Sequence, residues 1–170
     1  MRLREMEALL VALGHSNPSD MDARMRTLRA RNLLPHGARG LHAPTITAEH
    51  LARGLIAVLG TGVATRAAMV VERSYSILEN GTGIPFPDFL ESVLRNLDAC
   101  KSYSELRFDR SNDCVWAIYI KGNGSRKFCL AADLARSKSM IRDEGSISGE
   151  GLLALATAWR RQPGQEVGPV

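Results

Sequence analysis

The side chains best equipped for chemistry in this sequence are arginines, and they are bunched. Arg24, Arg26, Arg29, Arg31 and Arg39 fall within residues 23–48, a stretch without a single Lys, Asp or Glu that also holds His36 and His42. A guanidinium is a planar fork of donors that matches phosphate oxygens and the guanine edge. A concentration of them predicts contact with a polyanion; the plainer alternative is a solvated helix face. The net charge of +4, from 22 basic and 18 acidic residues, is too small to require a polyanion partner. The distribution says more. Residues 1–60 carry eight Arg, no Lys and five acids, whereas residues 61–170 carry 14 basic and 13 acidic side chains that nearly cancel.

Other chemistries find less support. His15, His36, His42 and His50 all precede residue 51, but no HExxH or His-x3-His pair occurs. A zinc site needs convergent imidazoles, thiolates or carboxylates, so no metal is expected. The three cysteines contain no CxxC pair; Cys100, Cys114 and Cys129 read as packing residues, and neither a disulfide framework nor a cysteine zinc site is indicated. Asp109, Asp113, Asp133, Asp143 and Glu144 are scattered, with no paired acid and base, so neither an enzyme nor a cofactor is expected. Gly145–Gly151 lacks the lysine and the full spacing of a phosphate-binding P-loop, and Ser148 reads instead as a helix N-cap. Lys121, Arg126 and Lys127 surround the turn at Asn123-Gly124 and form a second candidate phosphate-touching tip. Beside them, Trp116, Tyr119 and Phe128 read as core rather than as a base-stacking platform. No apolar run approaches the roughly 20 residues of a membrane span, and the first residues lack the apolar stretch of a signal peptide. A cytoplasmic protein with reduced thiols is expected.

The arginines must be positioned by local structure. Leu3, Met6, Leu9, Leu10 and Leu13 recur at helical spacing over 2–13, and Gly14 closes that helix. A turn rich in capping residues leads to a second helix, begun by Pro18 or Ser19 and running to Arg31, with Met21, Met25 and Leu28 inward. On that helix Arg24 and Arg31 flank one edge of the inner stripe, while Arg26 and Arg29 lie together on the other side, Arg26 the more outward. A glycine-flanked turn at 36–40 follows, and Thr45 or Thr47 caps a third helix to about 59. Beyond Gly60, the pattern predicts helices over 64–79 and 86–100, a three-stranded antiparallel meander over 105–131 turning at Asn123-Gly124, a short strand near 139–142, and a last helix over 149–161.

The segments Leu28-Arg29-Ala30-Arg31-Asn32-Leu33-Leu34-Pro35, Gly37-Ala38-Arg39-Gly40 and Ile46-Thr47-Ala48-Glu49-His50-Leu51 resemble a MerR-type winged helix-turn-helix. The resemblance covers about residues 3–59, with Asn32 where that family usually has glycine and without its long dimerising helix. It implies a recognition helix bearing Arg24, Arg26, Arg29 and Arg31, and a wing bearing Arg39 and His42. The length and style also resemble small regulators of phage and mobile elements.

The expectation is therefore an α+β protein. Residues 1–60 form a three-helix winged-helix-like unit, and residues 61–162 form helices and an antiparallel meander for dimerisation or partner contact. Residues 163–170 form a frayed tail. The expected function is sequence-specific binding of double-stranded DNA, as a transcription regulator of phage or mobile-element type, with a homodimer and no membrane among its partners. The rival is a non-enzymatic protein-interaction or phage assembly factor, in which the arginines meet acidic protein.

Overall fold

A computed structural model describes residues 1–14, 16–36, 43–110, 114–119, 124–130 and 144–161. The protein is α+β. Helix α1 (Leu3–Ala12) buries Met6 and Leu10, and ends where Gly14 turns to a φ of 78°. Helix α2 (Pro18–Ala30) starts on a rigid Pro18, with the Asn17 side chain accepting from the Asp20 amide at 2.9 Å. It stops at Asn32, whose φ of 57° is left-handed. The Leu33 amide donates to the Leu28 carbonyl and the Asn32 amide to the Arg29 carbonyl, both at 2.9 Å. These two bonds satisfy the last carbonyls of the helix in the arrangement that needs a left-handed residue, for which Gly is first choice and Asn second.

Helix α3 (Ala48–Leu59) is capped by Thr47 and buries Leu51, Leu55, Ile56, Val58 and Leu59 together with all three of its alanines. It is apolar nearly all round, as a helix wrapped by neighbours must be. Contacts from α1, α2 and helix α4 (Ala67–Ser74) meet it from one half of the chain, and helix α5 (Phe86–Arg95) and the last strand meet it from the other. One hydrophobic core consequently runs from Met1 to Trp159 without a break at Gly60.

The expected helix over 64–79 is shorter. A single 3-10 turn at Ala64–Arg66 leads into α4, and the chain then extends as strand β1 (Ile77–Glu79). Pairing of Ile77 with Leu130 and of Glu79 with Phe128 overrides the local helical pattern. The helix expected over 86–100 is likewise two. Asn96 leaves helical geometry and its side chain accepts from the Asp98 and Ala99 amides, starting helix α6 (Leu97–Ser102).

The meander is formed by β2 (Tyr103–Asp109), β3 (Cys114–Tyr119) and β4 (Ser125–Leu130). With β1 and β5 (Glu144–Ser148) it makes one antiparallel sheet in the order β1-β4-β3-β2-β5. The strand expected near 139–142 lies outside the described residues; the strand found is β5, within the segment weighed above as a loop. Phe108 and Phe128 meet Phe86 edge-on beneath the sheet, with ring centroids 6.1 and 5.5 Å from it respectively. Helix α7 (Gly149–Arg160) begins at Ser148, whose hydroxyl accepts from the Gly151 amide at 3.1 Å, as its sequence predicts. Residues 163–170 lie outside the described residues.

Candidate nucleic-acid interface

Helices α1 and α2 and the turn between them place α2 across the front of α3, held by Met21, Met25 and Leu28. At about 100° per residue the three arginines of α2 and Arg31 at its C-cap diverge.

Arg24 points into the protein and is 3% exposed. Its Nε donates to Asp20 at 2.7 Å, and its Nη1 to the carbonyls of Ala57 and Thr61 at 2.7 and 2.8 Å. The Ala57 carbonyl lies in the last turn of α3, where no intrahelical donor remains and the helix dipole favours a cation, and the Thr61 carbonyl lies just beyond it. Arg110 serves the same end, its Nε donating to the Leu59 carbonyl at 2.8 Å. Burial opposes ionisation of Asp20, but hydrogen bonds from Ser16 and Arg24 hold its carboxyl below the usual range. Arg24 is thus a structural residue, and its place in the expected DNA-contact set is corrected: every donor edge it presents is turned inward, because position 24 falls beside the buried Leu28.

Arg31 lies about 140° around the helix from Arg26. Its Nη1 sits 3.6 Å from Glu72 on α4, with both side chains exposed. Such a pair is weak, and it turns Arg31 away from the other arginines. Arg26 and Arg29 do share a face. Arg26 is 68% exposed, and its Nη2 meets Asp22 at 2.5 Å, one turn back. Arg29 is half-buried, its Nε donating to the Met25 carbonyl at 3.3 Å. It stands within electrostatic reach of Glu7 on α1. Burial lifts the Glu7 carboxyl above its ordinary range and Asp22 adds to this, while Arg29 and Arg4 draw it down.

Arg39 and His42 lie outside the described residues, but both ends of their loop are placed. At one end His36 Nε2 is 3.1 Å from the Asn32 side-chain oxygen. At the other, Arg2 and Thr45 form an antiparallel bridge, the Ile46 amide donates to the Met1 carbonyl at 2.8 Å, and the Trp159 indole donates to the Ile46 carbonyl at 2.9 Å. His36 thus lies at the end of α2, and Thr45 and Ile46 are fixed to the start of α1 and to α7.

His50 has a local task. Its Nδ1 accepts from the Thr47 amide at 3.2 Å while the Thr47 hydroxyl accepts from the His50 amide, so it closes the capping box of α3. The tip expected near 121–127 is described only in part. Lys121 lies outside the described residues, and Arg126 folds onto the helix side of the sheet, where it pairs with Glu79 and stacks 4.6 Å above Phe89. Among the described residues no three His, Cys, Asp or Glu side chains are grouped to hold a metal, and no helix is long and apolar enough to cross a membrane.

The carboxylates escaped the sequence reading of this face. Asp22 was legible as an i, i+4 partner of Arg26; Glu7 was not, because its position depends on how α1 crosses α2. The chain matches no protein-family model, no curated protein and no solved structure.

Proposed function

We propose that the protein is a sequence-specific binder of double-stranded DNA, a transcription regulator of phage or mobile-element type, with α2 as the helix that enters the major groove. One observation carries this: α2 is anchored from behind by Met21, Arg24, Met25 and Leu28, and its opposite face, Ser19, Asp22, Arg26 and Ala30, is exposed, with Arg29 at its border. A helix so mounted, small apart from two long forked donors, fits a groove about 12 Å wide. Arg26 and Arg29 meet bases or phosphates, and Arg39 and His42 extend the contact. Residues 61–162 serve dimerisation or partner contact, for which Val63, Met69 and Ile84, 48%, 55% and 39% exposed, are the large exposed apolar side chains among the described residues.

The test is duplex binding across a salt series. Affinity should fall with a logarithmic slope of about −0.9 for each phosphate neutralised. Arg29→Ala should cost about 1–3 kcal/mol on one preferred sequence and relax the preference there; equal loss on every sequence would reduce Arg29 to a phosphate contact. The second reading is a non-enzymatic protein-interaction or assembly factor, favoured by the carboxylates beside Arg24, Arg26, Arg29 and Arg31. A surface of interleaved charge suits a protein partner of complementary pattern, and absence of duplex binding at low salt would select it.

A further inference from the structure

Asp22 and Arg26 occupy the middle of the face that α2 leaves open, and the charges there nearly cancel. Asp22 sits against Arg26, and Glu7 lies close to Arg29. A carboxylate at a phosphate-binding surface is unfavourable, since it repels the backbone it faces. The same carboxylate is useful where a guanidinium must be aimed. Arg26 gives one Nη2 bond to Asp22, which restrains a side chain that is 68% exposed and otherwise rotates freely. The remaining donors of the fork stay open. Two parallel N–H groups of a guanidinium match the O6 and N7 acceptors of guanine, and an unoccupied carboxylate lone pair accepts from the N4 amino group of cytosine. Asp22 and Arg26 stand one turn apart on a helix, so together they span the acceptors and the donor of a G·C pair or of adjacent pairs.

We infer that Asp22 and Arg26 act as one base-reading unit, which directs α2 to a G·C pair in the major groove and contributes little to phosphate affinity. This rests on the duplex-binding reading above. The neutral pair accounts for selectivity, and cationic side chains outside it supply the salt-dependent attraction.

The experiment uses the full chain. Bound duplexes are selected from a random pool, and the wild type, Asp22→Asn, Arg26→Lys and the control Glu72→Gln are then titrated with the enriched duplex and a scrambled one. The wild type should enrich a fixed guanine. Asp22→Asn should lower discrimination at that base roughly tenfold while binding the scrambled duplex more tightly, since a repelling charge is gone. Arg26→Lys should lose the same discrimination because an ammonium cannot make the fork, and Glu72→Gln should change neither quantity. Thermal melts matching wild type confirm that the exposed substitutions leave the fold intact. An unchanged ratio in Asp22→Asn, or enrichment without a fixed G·C pair, overturns the base-reading unit and leaves duplex binding standing. No binding of the wild type to any duplex overturns both.

Discussion

Replacing Arg24 by Met separates the arginine that builds the protein from those proposed to use it. Methionine keeps the buried stem but removes every donor. Three bonds disappear: one to the Ala57 carbonyl in the last turn of α3, one to the Thr61 carbonyl just beyond it, and one to Asp20. A net hydrogen bond to a neutral acceptor contributes about 1 kcal/mol, and one to a charged group about 1.5–3 kcal/mol. Asp20 retains 29% side-chain exposure and a bond from Ser16, so the lower charged figure applies to it. The loss comes to about 3.5 kcal/mol, which for a chain of this length lowers the thermal midpoint by about 7–14 °C. Urea titration read by far-ultraviolet circular dichroism measures it directly. Arg26→Met is the paired control: that side chain is mostly in solvent, so stability should change by no more than about 0.5 kcal/mol, while duplex binding should fall. A shift under about 1 kcal/mol for Arg24→Met, or a larger one for Arg26→Met, would refute the division between buried brace and open face.

Three further outcomes follow from the geometry. His50 is held below its ordinary 6.5, chiefly by burial and by Arg53, against the opposing pull of Glu49 and, from α5, Glu91. Its contribution should therefore be complete above 6.5 and decline as pH falls from there through the lowered folded value; His50→Gln, which can still accept from Thr47, should flatten that dependence in urea midpoints taken across the range. Gly149→Ala would place a methyl group 1.8 Å from the Tyr103 carbonyl oxygen, which no rotamer relieves; the expected destabilisation exceeds about 3 kcal/mol and appears as loss of soluble, cooperatively melting protein. Asn32→Gly should be neutral or slightly stabilising in the same melts, whereas Asn32→Val should cost about 1–2 kcal/mol, because a β-branched side chain opposes the left-handed turn that ends α2.

Much of this was legible from local pattern. The three N-terminal helices, the Thr47 and Ser148 caps, the meander and the placement of Arg26 outward of Arg29 all follow from periodicity and capping chemistry, which act within a turn or two of chain. What escaped depends on distant partners. Nothing near Ile77 announces a strand; it extends because Leu130 offers pairing. Periodicity places Arg24 at the edge of the inner stripe, but its full burial depends on the end of α3 arriving with carbonyls that lack donors. Arg126, beside a hairpin signal, turns inward because Glu79 and Phe89 lie there. Long flexible cations are the side chains whose direction local pattern constrains least, and the expected contact set was made largely of them.

The envelopment of α3 has a consequence for how this protein can be altered. The first sixty residues are not a cassette. Severing the chain behind Gly60 would bare Leu55, Ile56, Val58 and Leu59 to water, strip the Ile46 carbonyl of its Trp159 donor and leave the tip of α3 without Arg110. Helix α2 therefore cannot be grafted elsewhere as a free-standing piece. New binding preferences have to be written onto the outer side chains of α2 in place, with the whole chain as their mount.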